Sequence, residues 1–362
     1  MPAEWEPHAA TWIAWPHNRE DWPGKFAPIP WVYVEIVRLL SRFEAVHIVV
    51  RDRAMRRHAS DRLDAAGVDP EKVKFFKAAT DRVWLRDSAP AFVVRDRVPE
   101  HTDDPIGRIG LIEWKFNAWA KYQNYHDDRR LPRRLSKWLA LPRWVPRVEQ
   151  GGRPVRVVME GGAIDVNGRG TVLTTEECLL SEVQARNPGL GREDVERVLA
   201  DYLGARHVIW LGRGIDGDDT HGHVDDLARF VDPRTVVTVV EPRTDDPNHE
   251  PLRENLERLR AARDQDGEPL QVVELPMPRP VVFDGQRLPA SYANFYIANG
   301  TVLVPTFNDP ADRVALDTLA RVFPDREVVG VHCGDLILGL GTLHCLSQQQ
   351  PMIHQGDEKA PS

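Results

Sequence analysis

Read for the alternation of apolar and polar positions, the 362-residue chain repeats one unit. Four segments each hold two apolar runs joined by a turn: AFVVRDRV…IGLIEW around Asp96, AIDVNGRGTVLTT around Gly168, LARFVDPRTVVTVVE around Pro233 and FYIANGTVLVPTF around Asn299. Such pairs read as β-hairpins. Asn167-Gly168 and Asn299-Gly300 can supply positive φ, and Asp232-Pro233 can start a turn. The hairpins return roughly every 70 residues, the signature of a long structural repeat.

Between hairpins the apolar period lengthens to that of a helix. GREDVERVLADYLG sets Val195, Val198, Leu199 and Tyr202 on one face, with Gly204 placed to stop it, and the strand HVIWL follows. Helical patterns also precede VKFF at 73–76, VVEL at 272–275 and EVVGV at 327–331. The Arg-, Trp- and Pro-rich stretch 117–150 breaks this order and reads as an insertion carrying its own short helix. Four hairpin units, and a fifth assembled from the N-terminal TWIAW and the segment after the last helix, predict a closed ring of ββαβ-type repeats. A closed ring would leave no free sheet edges and would surround a central cavity. The expected domain is a single one over 1–352, with 353–362 as a flexible tail.

Composition narrows the function classes. A formal net charge of -8 disfavours nucleic acid and is compatible with a cationic ligand, although keeping the chain soluble is its simpler reading. Three cysteines, Cys178, Cys333 and Cys345, lack the paired spacing of a disulfide framework or zinc site, which points to a reducing compartment, the cytoplasm. The opening MPAEWEPHAATWIAWP has no basic leader followed by an apolar run. No stretch approaches the roughly 18 apolar residues of a membrane span. Self-association into a homo-oligomer is compatible with the sequence, which does not fix it.

The polar clusters WLRD at 84–87, MEGG at 159–162, DGDDTHGHVDD at 216–226 and GLGTLHCLSQQQP at 339–351 follow or flank the apolar strands, where a rigid scaffold usually carries its chemistry. Together they supply a thiol, an imidazole and several carboxylates. Cys345 follows Gly339, Gly341 and Thr342, small residues that let backbone approach a ligand. Cys178, in apolar ECLL, reads as a buried small hydrophobe, and Cys333 ends an apolar strand. His223 and Asp225, two apart on an extended segment, would face one side. His221-x-His223 with a carboxylate also permits a zinc-like reading, although no third histidine or second cysteine is near in sequence. Glu160 is either a turn residue or a buried partner, and Asp87 could simply pair with Arg86. A thiolate can attack a planar guanidinium carbon, carboxylates can fork onto its N–H groups, and a histidine can pass protons.

With these residues assembled, the chain resembles the agmatine deiminase family of the wider guanidine-modifying group. The resemblance rests on MPAEWEPHAATWIAWPHN, WLRD, MEGGAIDVNGRGTVLTTEECLL, GDDTHGHVDD, YANFYIANGTVLVPTF and LHCLSQQQP, in that order over nearly the whole chain. It implies a five-bladed pseudosymmetric α/β propeller around a central active-site cavity, and a hydrolase without cofactor or metal. It further implies Cys345 as nucleophile, His223 as general acid and base, and Glu160 as its orienting partner. Asp87 and Asp225 would clasp the guanidinium, with Trp84 against the apolar linker. The implied reaction is agmatine plus water to N-carbamoylputrescine and ammonia. Alternatives are deimination of peptidyl-arginine or another alkylguanidine, amidino transfer to an amine, a metallohydrolase, and a noncatalytic propeller serving as a binding module. The sequence departs from the family pattern beside the site. Gly339-Leu340-Gly341-Thr342 replaces three glycines and an asparagine, Asp226 stands where asparagine is common, His221 replaces an acidic residue, and Ala89 replaces a glycine.

Overall fold

A computed structural model of the chain describes residues 1–95 and 109–352. Asp96 and the segment 353–362 lie outside the described residues, so the turn of the first hairpin and the expected tail are not characterised.

Five separate sheets carry the fold, and four share one connectivity. Two short strands pair antiparallel, a helix crosses over, and a third strand adds in parallel to the second. In chain order these sheets are Ala91–Val94, Ile109–Ile112 and Arg143–Trp144; Asp165–Val166, Thr171–Thr175 and His207–Leu211; Ala228–Phe230, Thr235–Val240 and Gln271–Pro276; Tyr296–Ile297, Thr301–Thr306 and Glu327–His332. The crossover helices are Leu131–Leu139, Arg192–Leu203, His249–Ala261 and Pro310–Val322. The fifth sheet joins the two ends of the chain: Ser347–Pro351 runs antiparallel to His8–Ala14, which pairs in parallel with Ala45–Val50, followed by Val73–Lys77. Its extra parallel strand, reached through the helix Arg53–Ala65, makes it a four-stranded version of the unit.

The helix 192–203 forms as its pattern requires. Val195, Val198 and Leu199 are buried, and Gly204 takes a left-handed φ of 74° that ends it. The central strands, such as Thr235–Val240, are apolar and almost wholly buried because helices cover one face and neighbouring sheets the other.

Four expectations need correction. The stretch 117–150 is no insertion, because its helix 131–139 and strand 143–144 are the missing crossover and third strand of the first of these four sheets. Its many Arg and Trp residues hid the period. The sheets are not hydrogen-bonded edge to edge, so each keeps its own edges. Gly168 does take positive φ, at 68°, but neither Asn299 nor Gly300 does. Gly300 is needed for close approach instead: a Cβ there would sit 2.2 Å from the Phe43 ring. Asn299 ties the first strand down, accepting from His8 N at 2.7 Å and donating to His8 O at 2.9 Å. Finally, His223 and Asp225 are not on an extended segment. They flank the start of a one-turn helix, Val224–Asp226.

Candidate active site

In each of these five sheets the strand that opens the antiparallel pair is preceded by a tight turn, and the candidate groups sit on four of those turns. Trp84 and Asp87 precede Ala91–Val94, Glu160 precedes Asp165–Val166, His223 and Asp225 precede Ala228–Phe230, and Cys345 precedes Ser347–Pro351. The fifth equivalent position, before Tyr296–Ile297, holds Asn294. The sequence reading missed it, although the repeat offered a signal, since one polar residue was due at the same place in every unit.

The six candidate residues come together. Cys345 Sγ lies 3.6 Å from Asp225 Oδ2 and accepts from Asn294 Nδ2 at 3.0 Å. His223 Nδ1 is 4.0 Å from the other Asp225 oxygen and 3.9 Å from Asp87 Oδ1, and its Nε2 is 3.5 Å from Glu160 Oε2. The imidazole is fully buried, and neither ring nitrogen has a close hydrogen-bond partner. Asp87 accepts from Gly162 N at 3.0 Å and from Trp119 Nε1 at 2.9 Å. It does not pair with Arg86, which reaches Glu4 and Gln349.

A second ring of groups, unread from the sequence, holds the first. Arg186 Nε lies 3.1 and 3.2 Å from the two oxygens of Glu160. His344 spans Asp225 Oδ2 at 2.6 Å and Glu4 Oε2 at 2.9 Å. Glu4 also meets Arg229 at 3.0 Å and Arg86 at 3.1 Å, and accepts from Ile297 N at 2.9 Å. Cys178 is buried as expected, but a ligand atom of its side chain lies within 4.8 Å of those of Glu160 and His223. Thr175 caps the turn that puts it there.

The charges follow from this packing. Burial would lower the His223 imidazole, but Asp87, the Cys178 thiol and Glu160 carry it well above its usual range. Burial raises Asp87 to about 6, His223 opposing and Asp225 adding to it. Asp225 is held low against burial by His344 and His223. Burial and then Asp225 push Asp226 far up. Asp226 accepts from Asn294 Nδ2 at 3.0 Å. Burial, then Asp225, Asp226 and Asp87, push the Cys345 thiol well above its usual range.

Trp84, Asp87 and Cys345 line one cavity of about 310 Å³ with Trp119, Tyr122, Leu338 and Leu340. His223, Asp225 and Glu160 are not among its lining residues; they are fully buried and meet it through Asp87 and Cys345. Four more carboxylates border the cavity: Asp21, paired with Arg82, Asp219, bonded to the Tyr122 hydroxyl, and the exposed Glu20 and Asp284. Gly339 and Gly341 let the backbone pass the tryptophans, since a Cβ on either would come within 2.9 Å of the Trp84 ring. A larger groove of about 970 Å³ runs past Met1, Trp144, Gly168 and Tyr202 but holds none of these groups. Chemistry selects the smaller cavity.

Among the described residues two clusters have metal-ligand spacing: Glu160, Cys178 and His223, and Asp225, Asp226 and Cys345. In the first, Arg186 already neutralises Glu160. A dication held by that carboxylate would also face the guanidinium paired with it. In the second, His344 and Asn294 occupy the same oxygens and sulfur. His221 takes no part in either: its backbone is left-handed and its Nε2 meets Ser181 Oγ at 3.1 Å. The buried pairings suit an organic cation better than a metal ion.

Known proteins share this arrangement of the chain. The profile of the Porphyromonas-type peptidyl-arginine deiminase family matches residues 1–351. An agmatine deiminase of Medicago truncatula is 37% identical over 98% of this chain and 96% of its own. One from Pseudomonas aeruginosa (strain LESB58) is 34% identical over 97% and 95%. Among solved structures, the agmatine deiminase of Enterococcus faecalis superposes with a TM-score of 0.86 at 32% identity, covering 97% of this chain and 95% of that one. On this match, which runs through all five sheets, the chain belongs to the family of Porphyromonas-type peptidyl-arginine deiminases and agmatine deiminases.

Proposed function

We propose that the protein hydrolyses agmatine to N-carbamoylputrescine and ammonia through a covalent intermediate on Cys345. The observation that carries this reading is a single small cavity with a thiol and a carboxylate among its buried members and further carboxylates along its border. The guanidinium lies between Asp87 and Asp225, its methylenes run along Trp84, and its ammonium reaches Asp219 and Asp21. Relatives named as agmatine deiminases support the substrate.

The chemistry follows from the charges. In the free protein burial, and then its carboxylate neighbours, keep Cys345 a thiol. A bound guanidinium offsets the carboxylates, and the thiol proton passes to solvent as the cation arrives. The sulfur adds to the guanidinium carbon. His223, held protonated by its carboxylates, gives a proton to the departing nitrogen as the C–N bond breaks and ammonia leaves. Water then adds to the amidino-thioether and gives its proton to His223. The C–S bond breaks, releasing the ureido product and the sulfur. Glu160, fixed by Arg186, orients the imidazole throughout.

The same reading takes 1–352 as one catalytic domain and the five sheets as blades around the cavity. The pairing of the first and last strands supports it, as do the equivalent turns bearing the site. Every group it uses comes from one copy of the chain. Three buried, unpaired cysteines fit the cytoplasm; among the described residues no helix is long and apolar enough to cross a membrane.

The test is ammonia release from purified protein with agmatine, arginine, a peptidyl-arginine and a creatine-like guanidine side by side. Agmatine is expected to be turned over best. Agmatine left intact while another guanidine reacts would overturn the substrate, and amidino transfer to an added amine without ammonia would overturn the hydrolysis. A pH profile probes the site itself. Asp87 must be ionised to hold the cation, so kcat/KM is expected to fall about tenfold per unit as pH drops below about 6. Asp87→Asn should remove that limb and lower kcat/KM by roughly 10²-fold. A flat profile down to pH 5 in the unaltered protein speaks against this role.

A further inference from the structure

Leu340 holds a backbone conformation that a side chain resists, with φ 67° and ψ 25°. In this left-handed region glycine is free of the Cβ clash, and Leu340 stands between Gly339 and Gly341 in the loop that presents Cys345. Strain of this kind persists where the surroundings hold it, and it gathers at ligand clamps. The surroundings are specific here. The Leu340 side chain packs against the cluster of Leu288, Ala290 and Ile337, as does Phe283. Leu340, Leu288 and Phe283 also line the cavity with Cys345 and Trp84. Phe283 lies on a two-stranded ribbon, Val282–Phe283 against Gln286–Arg287, that turns tightly through Asp284 and Gly285, both at positive φ. The loop and the ribbon thus meet through apolar side chains on one wall of the cavity.

We propose that Leu340 is a specificity-determining residue, whose side chain with the 282–287 ribbon closes the cavity around an unbranched alkylguanidine and keeps out guanidines bearing a peptide backbone. The inference rests on the deiminase reading above and deepens it. Two barriers divide the work. A free α-carboxylate meets the ion pairs Asp21–Arg82 and Asp219–Lys121 at the border as well as bulk, whereas an uncharged peptide backbone meets only bulk. Leu340 supplies the bulk.

The experiment compares kcat/KM for agmatine and for Nα-acetyl-arginine amide, which carries an uncharged backbone, in the unaltered protein, Leu340→Ala and Leu340→Gly. The unaltered protein should prefer agmatine by at least about 100-fold. Both variants should shift the ratio towards the amide by about tenfold or more, chiefly through KM. In Leu340→Gly the Tm should move by no more than about 3 °C, because relieved strain and lost contact oppose each other, whereas Leu340→Ala keeps the Cβ and should lower it somewhat more. A ratio within twofold of the original in both variants overturns the inference. So does a shift in Leu340→Gly alone, which would assign the effect to loop freedom, and so does near-equal use of the two compounds by the unaltered protein. Turnover of agmatine with an unmoved ratio sinks this inference alone. No turnover of any guanidine by the unaltered protein sinks the deiminase reading with it.

Discussion

Cys345→Ser is expected to lower ammonia release from agmatine by at least about 10⁴-fold while leaving the Tm and the circular dichroism spectrum close to those of the parent. The size follows from what the sulfur does. It must shed its proton when a cation binds and then attack a delocalised, weakly electrophilic carbon. A serine hydroxyl among the same three carboxylates would hold its proton far more tightly, and Asn294, which donates to Sγ, cannot make up the difference. Losses of this order or larger accompany removal of a nucleophile elsewhere. The fold should survive because oxygen for sulfur is a small change at a site already hydrogen-bonded. Acid-quenched protein mixed with agmatine should carry a covalent adduct by intact mass, and the variant should not. Turnover within tenfold of the parent would remove Cys345 from the mechanism.

His223→Asn should cost about 10³-fold or more in kcat, because one imidazole serves both half-reactions. Among the described residues the ring is the sole titratable base within 4.0 Å of Asp87, Glu160 and Asp225 together, and its raised pKa suits the donation of a proton to the leaving nitrogen. An uncharged replacement also leaves three buried carboxylates with less compensation, so stability must be measured alongside rate. Quenched mass spectra divide the two roles. If protonation of the leaving nitrogen is lost, no adduct forms. If activation of water is lost, the adduct accumulates after one burst of ammonia. A variant that keeps full turnover with a normal Tm would show the proton moving by another route.

The repeating hairpin, helix and strand were legible because their signals are local: Asn-Gly and Asp-Pro turns, the 3.6-residue stripe of 192–203, and apolar strands. Cys345, His223 and Asp225 stood out for a related reason, since each sits in a short polar cluster beside an apolar strand, whereas roles for Asp87, Glu160 and Trp84 came only with the family resemblance. Residues that work through distant contacts were not. Nothing near Glu4 in sequence announces that its carboxylate will meet Arg86, Arg229 and His344. Arg186 looks like any loop arginine until the fold sets it on Glu160. Cys178 read correctly as buried, but its nearness to His223 depends on the meeting of two sheets. Trp119, which donates to Asp87, lay in a stretch whose composition masked its part in the repeat. Gly300 was assigned to the wrong constraint, for sequence reveals a glycine but not the aromatic ring it makes room for.

The pairing of His8–Ala14 with Ser347–Pro351 bears on when the protein can become an enzyme. His344 and Glu4 are 340 residues apart in the chain. At equilibrium that distance matters little, since closing such a loop costs only about 0.6 kcal/mol more than closing one half as long. On the ribosome it matters more. At roughly 5–20 residues per second, about 15–70 s pass between the emergence of residue 8 and that of residue 351. For that interval one edge of the earliest strand waits without its neighbour, and the sulfur does not yet exist beside the imidazole. Reactivity is thereby deferred until the rest of the scaffold is at hand, so no nascent fragment carries a competent thiol.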